Sequence, residues 1–152
     1  MTEQGTTARR TPHRRDGGGS RGFEIVLIAV YGIFALSATA RSLVQVLRDF
    51  SFAPVAYGLS LLAALTYIAV TVALIRGGRR SPLARVLCLL ELAGVLIVGT
   101  LTVLDPQLFP DATVWGHYGR DYGYVPLLLP VIALVYMVLA RRSGPVAAAG
   151  PR

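Results

Sequence analysis

The run VLCLLELAGVLIVGTLTVL, residues 86–104, decides the fold. Its 19 residues hold a single ionisable side chain, Glu91, among residues that are otherwise apolar or small. A helix needs ~20 such residues, range ~17 to 25, to cross the hydrocarbon core of a bilayer. Lipid offers the backbone no hydrogen-bond partner, so a run of this length without strand-like alternation satisfies its own N–H and C=O groups as a helix.

Three further runs repeat the pattern. Ile25–Ala40 is 16 residues without a charge, and helical periodicity continues past Arg41 to Leu47; Pro54–Ile75 gives 22 uncharged residues and Tyr122–Ala140 gives 19. The breakers fall between the runs: residues 49–54, Gly77-Gly78 with Ser81-Pro82, and Asp105-Pro106 with Pro110. Pro126 and Pro130 lie early in the fourth run, where a proline is tolerated, with a kink expected near Pro130. The expectation is an all-α fold, a four-transmembrane-helix bundle with helices at about 23–47, 54–75, 84–104 and 122–140. A basic, disordered tail is expected over 1–22, a transmembrane domain over 23–142 and a short tail over 143–152.

The composition agrees. Of 152 residues 54% are hydrophobic and 15% charged, more apolar surface than a soluble domain of this size can hide. All 15 basic residues are Arg, against 8 acidic residues. Arg9, Arg10, Arg14, Arg15 and Arg21 precede the first run, Arg76, Arg79, Arg80 and Arg85 lie between the second and third, and Arg141, Arg142 and Arg152 follow the fourth. Arg41, Arg48 and Arg120 fall on the other side, with Asp49, Asp105, Asp111 and Asp121. Because cytoplasmic loops are enriched in Lys and Arg, both termini are expected in the cytoplasm, with the chain multi-pass in the cell membrane. Arginines sorted this way serve topology, and nucleic acid is not an expected partner. Arg14-Arg15, the apolar stretch and Ala38-Thr39-Ala40 resemble a secretory signal. Asp16-Gly17-Gly18-Gly19 after the arginine pair, and helical patterning past the small residues, favour a retained first helix.

An ionisable group inside a span is expensive and marks a candidate site. Glu91 lies six residues past Arg85, roughly 9 Å along the helix. Tyr31, Tyr67 and Tyr136 sit at depths of roughly 8 to 14 Å by the same arithmetic, so one Glu and three Tyr share a level. Stripes at spacings of three and four converge on it: Glu24, Ile28, Tyr31, Ala35, Ala38, Ser42 and Gln45 in the first helix, Ser60, Ala64, Tyr67 and Thr71 in the second, and Cys88, Glu91, Val95, Val98 and Thr102 in the third. Small and polar stripes are what helix interfaces in lipid use. They predict a buried polar layer in which Tyr31, Tyr67 and Tyr136 hydrogen-bond Glu91. Arg41 is too far along the bundle to pair with Glu91, and is expected to snorkel outward or meet Tyr57, Asp105 or Asp121.

The segment 105–124 gathers the remaining polar candidates: Asp111, Trp115, His117, Arg120 and Asp121. Its aromatics read as an interfacial belt at headgroup level; the competing reading is a lid or docking surface, with Gly116, Gly119 and Gly123 supplying freedom. His117 with Asp111 and Asp121 matches no closed ligand set, so no metal is expected. The lone Cys88 reads as packing. No nucleophile triad, paired carboxylates, phosphate loop or zinc-helix pattern is present, and neither a cofactor nor an enzymatic activity is expected.

Leu90-Glu91-Leu92-Ala93-Gly94, Phe109-Pro110-Asp111-Ala112-Thr113-Val114-Trp115 and Tyr122-Gly123-Tyr124-Val125-Pro126 give the chain, over about residues 23–140, a resemblance to the uncharacterised small four-helix integral membrane proteins of actinobacteria. The resemblance implies a multi-pass cell-membrane location and no assigned activity. In size and in its single membrane Glu the chain is also similar to small multidrug resistance exporters, which carry their essential Glu in the first helix rather than the third. The expected role is a structural or accessory subunit of a membrane assembly, with lipid and a second membrane protein or a second copy as partners. The alternative is a proton-coupled transporter working as a homodimer through Glu91.

Overall fold

The computed structural model describes residues 18–142, and every regular element among them is helical. Four α-helices carry the fold: α1 (Gly18–Asp49), α2 (Pro54–Gly77), α3 (Pro82–Leu104) and α4 (Val125–Arg142). The tail expected over 1–22 lies outside the described residues as far as residue 17; from Gly18 onward it is already helix. The expected tail over 143–152 also lies outside them. At 32 residues α1 is roughly 48 Å long, well beyond a ~30 Å hydrocarbon core.

Local chemistry explains the boundaries. Pro54 and Pro82 open α2 and α3, where their missing N–H costs no helical bond. Ser81 caps α3 by accepting the Ala84 N–H through its hydroxyl at 3.1 Å. At the end of α2, Gly78 takes φ +53°, a left-handed conformation suited to glycine. Residues 106–108 form a short 3-10 turn after Asp105 closes α3.

Three helices, Arg21–Asp49, Pro54–Arg80 and Pro82–Leu104, are each long and apolar enough to cross a membrane. The fourth expected span differs in form. It meets that standard only together with the preceding turn Gly116–Tyr122, from which it is bent by 98°. Its helix starts at Val125, not at 122, because Gly123 and Tyr124 adopt left-handed backbone at φ +63° and +62°. It then runs through Pro130 as one element. The described residues are thus all-helical, with three or four candidate membrane spans.

α1 and α2 share the most extensive interface, and α3 packs against α2 and α4. The tilted contact of the Phe23 and Tyr136 rings, with centroids 4.7 Å apart, places the start of α1 beside the later part of α4. Glu24 of α1 also abuts Gly78, so the beginning of α1, the α2–α3 turn and the later part of α4 share one end. Of the stripes, Tyr31, Ala35, Ala38, Ser42 and Gln45 are buried in α1, and Cys88, Glu91, Val95, Val98 and Thr102 in α3. The apolar side chains left outside, such as Leu36, Leu65, Ile97 and Leu139, cover the outer faces of all four helices.

The largest departure from expectation is the segment 105–124. Its centre turns inward: Thr113, Val114 and Trp115 are all buried, Trp115 at 3% exposure, while Pro106, Leu108 and Tyr124 stay exposed. The reason lies in α3. A Cβ at Gly94 would stand 2.6 Å from the Trp115 ring, and one at Gly99 would stand 2.5 Å from the Tyr118 ring. These two glycines leave the room into which the aromatic rings fit. Gly94 is ten residues short of Leu104, so the indole reaches roughly 15 Å down from the end of α3.

Replacing Gly94 with Ala should expel the indole, at a cost of about 1 to 3 kcal/mol for the overpacked site. Trp115 is the only tryptophan, so its fluorescence reports this directly. Iodide should quench it poorly in the wild type and efficiently in Gly94→Ala; equal quenching in the two would contradict the buried position.

Candidate functional site

The polar layer is assembled by α1, α2 and α3. Tyr31, Tyr67 and Glu91 are each 0% exposed. The Tyr31 hydroxyl donates to Oε2 of Glu91 at 2.8 Å and lies 3.5 Å from Sγ of Cys88. Tyr67 is packed beside Tyr31, with ring centroids 6.4 Å apart. Its hydroxyl is engaged differently from expectation, accepting the Trp115 indole N–H at 3.2 Å. α4 turns Met137 and Ala133, not Tyr136, fully inward; Tyr136 is half-buried with its ring on Phe23. A common depth therefore did not make a common face, because the rotation of α4 places its neighbouring residue in the core.

Glu91 is held at one oxygen only. Oε2 accepts from Tyr31, while Oε1 is buried without a hydrogen-bond partner. Trp115 covers the next turn of α3, and Leu27, Leu74, Ala84 and Met137 fill the core turns nearest the arginine-rich end. Glu91 is closed off from both ends of the bundle.

The second cluster lies where the inward segment meets α1. Among the described residues Arg41 forms no ion pair with Asp105 or Asp121, and of its expected partners Tyr57 lies within electrostatic range. The Arg41 Nη2 donates to the Ala112 carbonyl at 3.2 Å, and its guanidinium stands 5.9 Å from the centroid of the Tyr122 ring. Gln45 donates to the same carbonyl at 3.1 Å and to Asp111 Oδ2 at 3.4 Å. Asp111 Oδ1 accepts the Ala112 N–H at 2.7 Å. Burial raises the Asp111 carboxyl, but the Ala112 N–H, the Tyr57 hydroxyl, the Gln45 amide and the Arg41 charge outweigh it and hold the carboxyl below its usual range.

His117 enters this arrangement through its backbone. Its backbone N–H donates to Thr102 Oγ1 at 2.8 Å, and the Thr102 hydroxyl in turn donates to the Gly99 carbonyl at 2.8 Å. His117, Tyr118 and Gly119 are consecutively left-handed, at φ 47°, 61° and 81°, a conformation that non-glycine residues rarely adopt. Arg120 and Asp121 form an exposed ion pair at 3.8 Å. With Phe109, Asp111 and Thr102 they border a cleft of about 240 Å3 at the loop end.

Sequence reasoning missed Gly94, Gly99 and the seating of Trp115 and Tyr118 against them. It also gave Arg41 no backbone partner. The small residues of α3 were the available signal, since glycine at a helix face permits close approach. Against known protein families, curated proteins and solved structures, the chain shows no match.

Two substitutions separate shape from charge at Glu91. Glu91→Gln keeps an oxygen for Tyr31 and should change stability by less than about 1 kcal/mol, whereas Glu91→Ala leaves the hydroxyl unpaired and should cost about 1 to 3 kcal/mol. Thermal unfolding in detergent reads both; similar losses for the two would show that the hydrogen bond is not what matters.

At the loop end the depressed Asp111 carboxyl gives an acid step. Because its folded pKa lies below the unfolded one, its contribution to stability is complete above the usual carboxylate range and is lost as pH falls through the folded value, below about pH 4. Iodide access to Trp115 should rise in that window for the wild type. In Asp111→Asn the step should vanish; its persistence would assign it to another group.

Proposed function

We propose that this chain is a structural or accessory subunit of a membrane assembly, seated in the cell membrane with both termini cytoplasmic and catalysing no reaction of its own. The observation that carries this reading is the closure over Glu91. A coupling carboxylate must be reached by water or substrate, first from one side and then from the other. Here the residue is wholly buried, with the Trp115 indole over the next turn toward the loop end and buried apolar side chains filling the core toward the other. The same arrangement suits a scaffold, in which buried hydrogen bonds pin helices together. Apolar helices support the membrane location, and the placement of the arginines supports the orientation. Kinship with the small actinobacterial membrane proteins belongs to this proposal and rests on the motifs around Glu91, Trp115 and Pro126.

One observation favours a second reading, the proton-coupled transporter working as a homodimer: Oε1 of Glu91 has no partner. The two readings part in one preparation. The chain solubilised in mild detergent from its own membrane should bring down a second membrane protein in fixed stoichiometry, and proteoliposomes of the purified chain should hold a pH gradient. Self-crosslinks alone from a photoreactive residue beside Trp115 would overturn the accessory role. Proton flux that Glu91→Gln abolishes would establish the transporter instead. Reporter fusions after residue 10 and residue 145 should both read cytoplasmic, and an external signal from either would overturn the orientation.

A further inference from the structure

At the arginine-rich end, α2 gives way to α3 within four residues. Gly77 permits this tight passage, since a Cβ there would stand 2.8 Å from the Ser81 Cβ. Between the last turns of α2 and the first turns of α3 the structure leaves a groove of about 390 Å3. Its walls are Ala69, Val72, Ala73, Leu83 and Leu87, and it ends on Arg76 and Ser81. Ala69 is seven residues before Arg76, so the aliphatic part runs roughly 10 Å along the bundle from the cationic end.

The charge at that end is one-sided. Arg76 and Arg80 are exposed and Arg79 and Arg85 half-buried, all within ten residues of chain. Arg85 Nη2 donates to the Arg80 carbonyl at 3.2 Å, and its Nε is buried without a partner. The acid that approaches the turn is Glu24, which abuts Gly78. Among the described residues, four arginines of this turn thus lie near one approaching carboxylate, Glu24. Ser81 accepts from Ala84 N–H, which leaves its own hydroxyl proton to donate.

We propose that this groove is a binding site for an anionic phospholipid, with an acyl chain along Ala69, Val72 and Leu87 and the phosphate on Arg76 and the Ser81 hydroxyl. An aliphatic wall at membrane depth ending on a guanidinium at the boundary matches a lipid that is apolar along its chain and negative at its head. A zwitterionic lipid offers the same chain and phosphate but brings its own ammonium, which opposes the arginines. The inference rests on the helices being membrane spans and not on the accessory role.

Native mass spectrometry of the full chain in mild detergent tests it, with phosphatidylglycerol, phosphatidylcholine and inorganic phosphate as probes. One phosphatidylglycerol should be retained in preference to phosphatidylcholine, and millimolar phosphate should not displace it. Arg76→Gln, at an exposed position, should leave the melting temperature unchanged and weaken retention about fivefold. Arg48→Gln, at the opposite end of α1, should leave retention unchanged. Ala69→Phe, which fills the groove, should abolish it. Equal retention of the two lipids, or wild-type retention in Arg76→Gln or Ala69→Phe, would overturn the site. Displacement by phosphate would reduce it to an anion contact without a chain. Release of the protein from membranes by alkaline carbonate would instead overturn the membrane reading itself, an outcome distinct from an inserted chain that selects no lipid.

Discussion

An indole ring seated where a helix has no side chain is the contact on which the rest of this bundle depends. Trp115 occupies the space that Gly94 leaves open and spends its one N–H on the Tyr67 hydroxyl. That bond holds the Tyr67 hydroxyl at the indole, and Tyr31 is the tyrosine that holds the carboxyl. The same insertion seals the loop side of the polar layer. Loop, glycine, tyrosine and carboxyl thus form one connected arrangement, and the closure that shapes the functional reading is its result.

Carrying an irregular segment inward obliges the protein to account for its backbone, since at membrane depth such chain is tolerated only where protein supplies the partners. The accounting can be followed residue by residue. Arg41 and Gln45 satisfy the Ala112 carbonyl, Thr102 the His117 N–H, Thr113 the Gly116 N–H, and Gly119 the Tyr124 N–H. Arg41, which as a charged residue in a long apolar helix suggests a functional ion pair, is explained as a donor to a carbonyl with no helical partner. Its positive charge also assists in holding Asp111 ionised.

How far the sequence could be read follows from what each signal encodes. Helix runs were legible because length, hydropathy and breakers all act locally: Pro54, Pro82 and Gly78 sit where their backbone chemistry requires. The inward stripes were legible in α1, α2 and α3 because a regular helix converts spacing directly into a face. Tyr136 shows the limit, since depth follows from counting residues but rotation follows from neighbours, and Met137 took the inward position. Trp115 shows another. An aromatic, glycine-rich stretch between two spans has the same composition whether it rests at the interface or folds back among the helices, and only the pairing with Gly94 and Gly99, some twenty residues earlier, tells them apart. The left-handed backbone at His117 and Tyr118 carries no local signal at all, because the surrounding contacts impose it.

The 98° bend before α4 divides the chain by where its backbone finds hydrogen-bond partners. α1, α2 and α3 complete their own backbone hydrogen bonds and can enter lipid one after another. The segment before α4 has no such independence: the Ala112 carbonyl and the His117 N–H find their partners on α1 and α3. The loop is therefore the part of the molecule whose backbone depends on its neighbours, and its seating ties α1 and α3 to the chain that leads into α4.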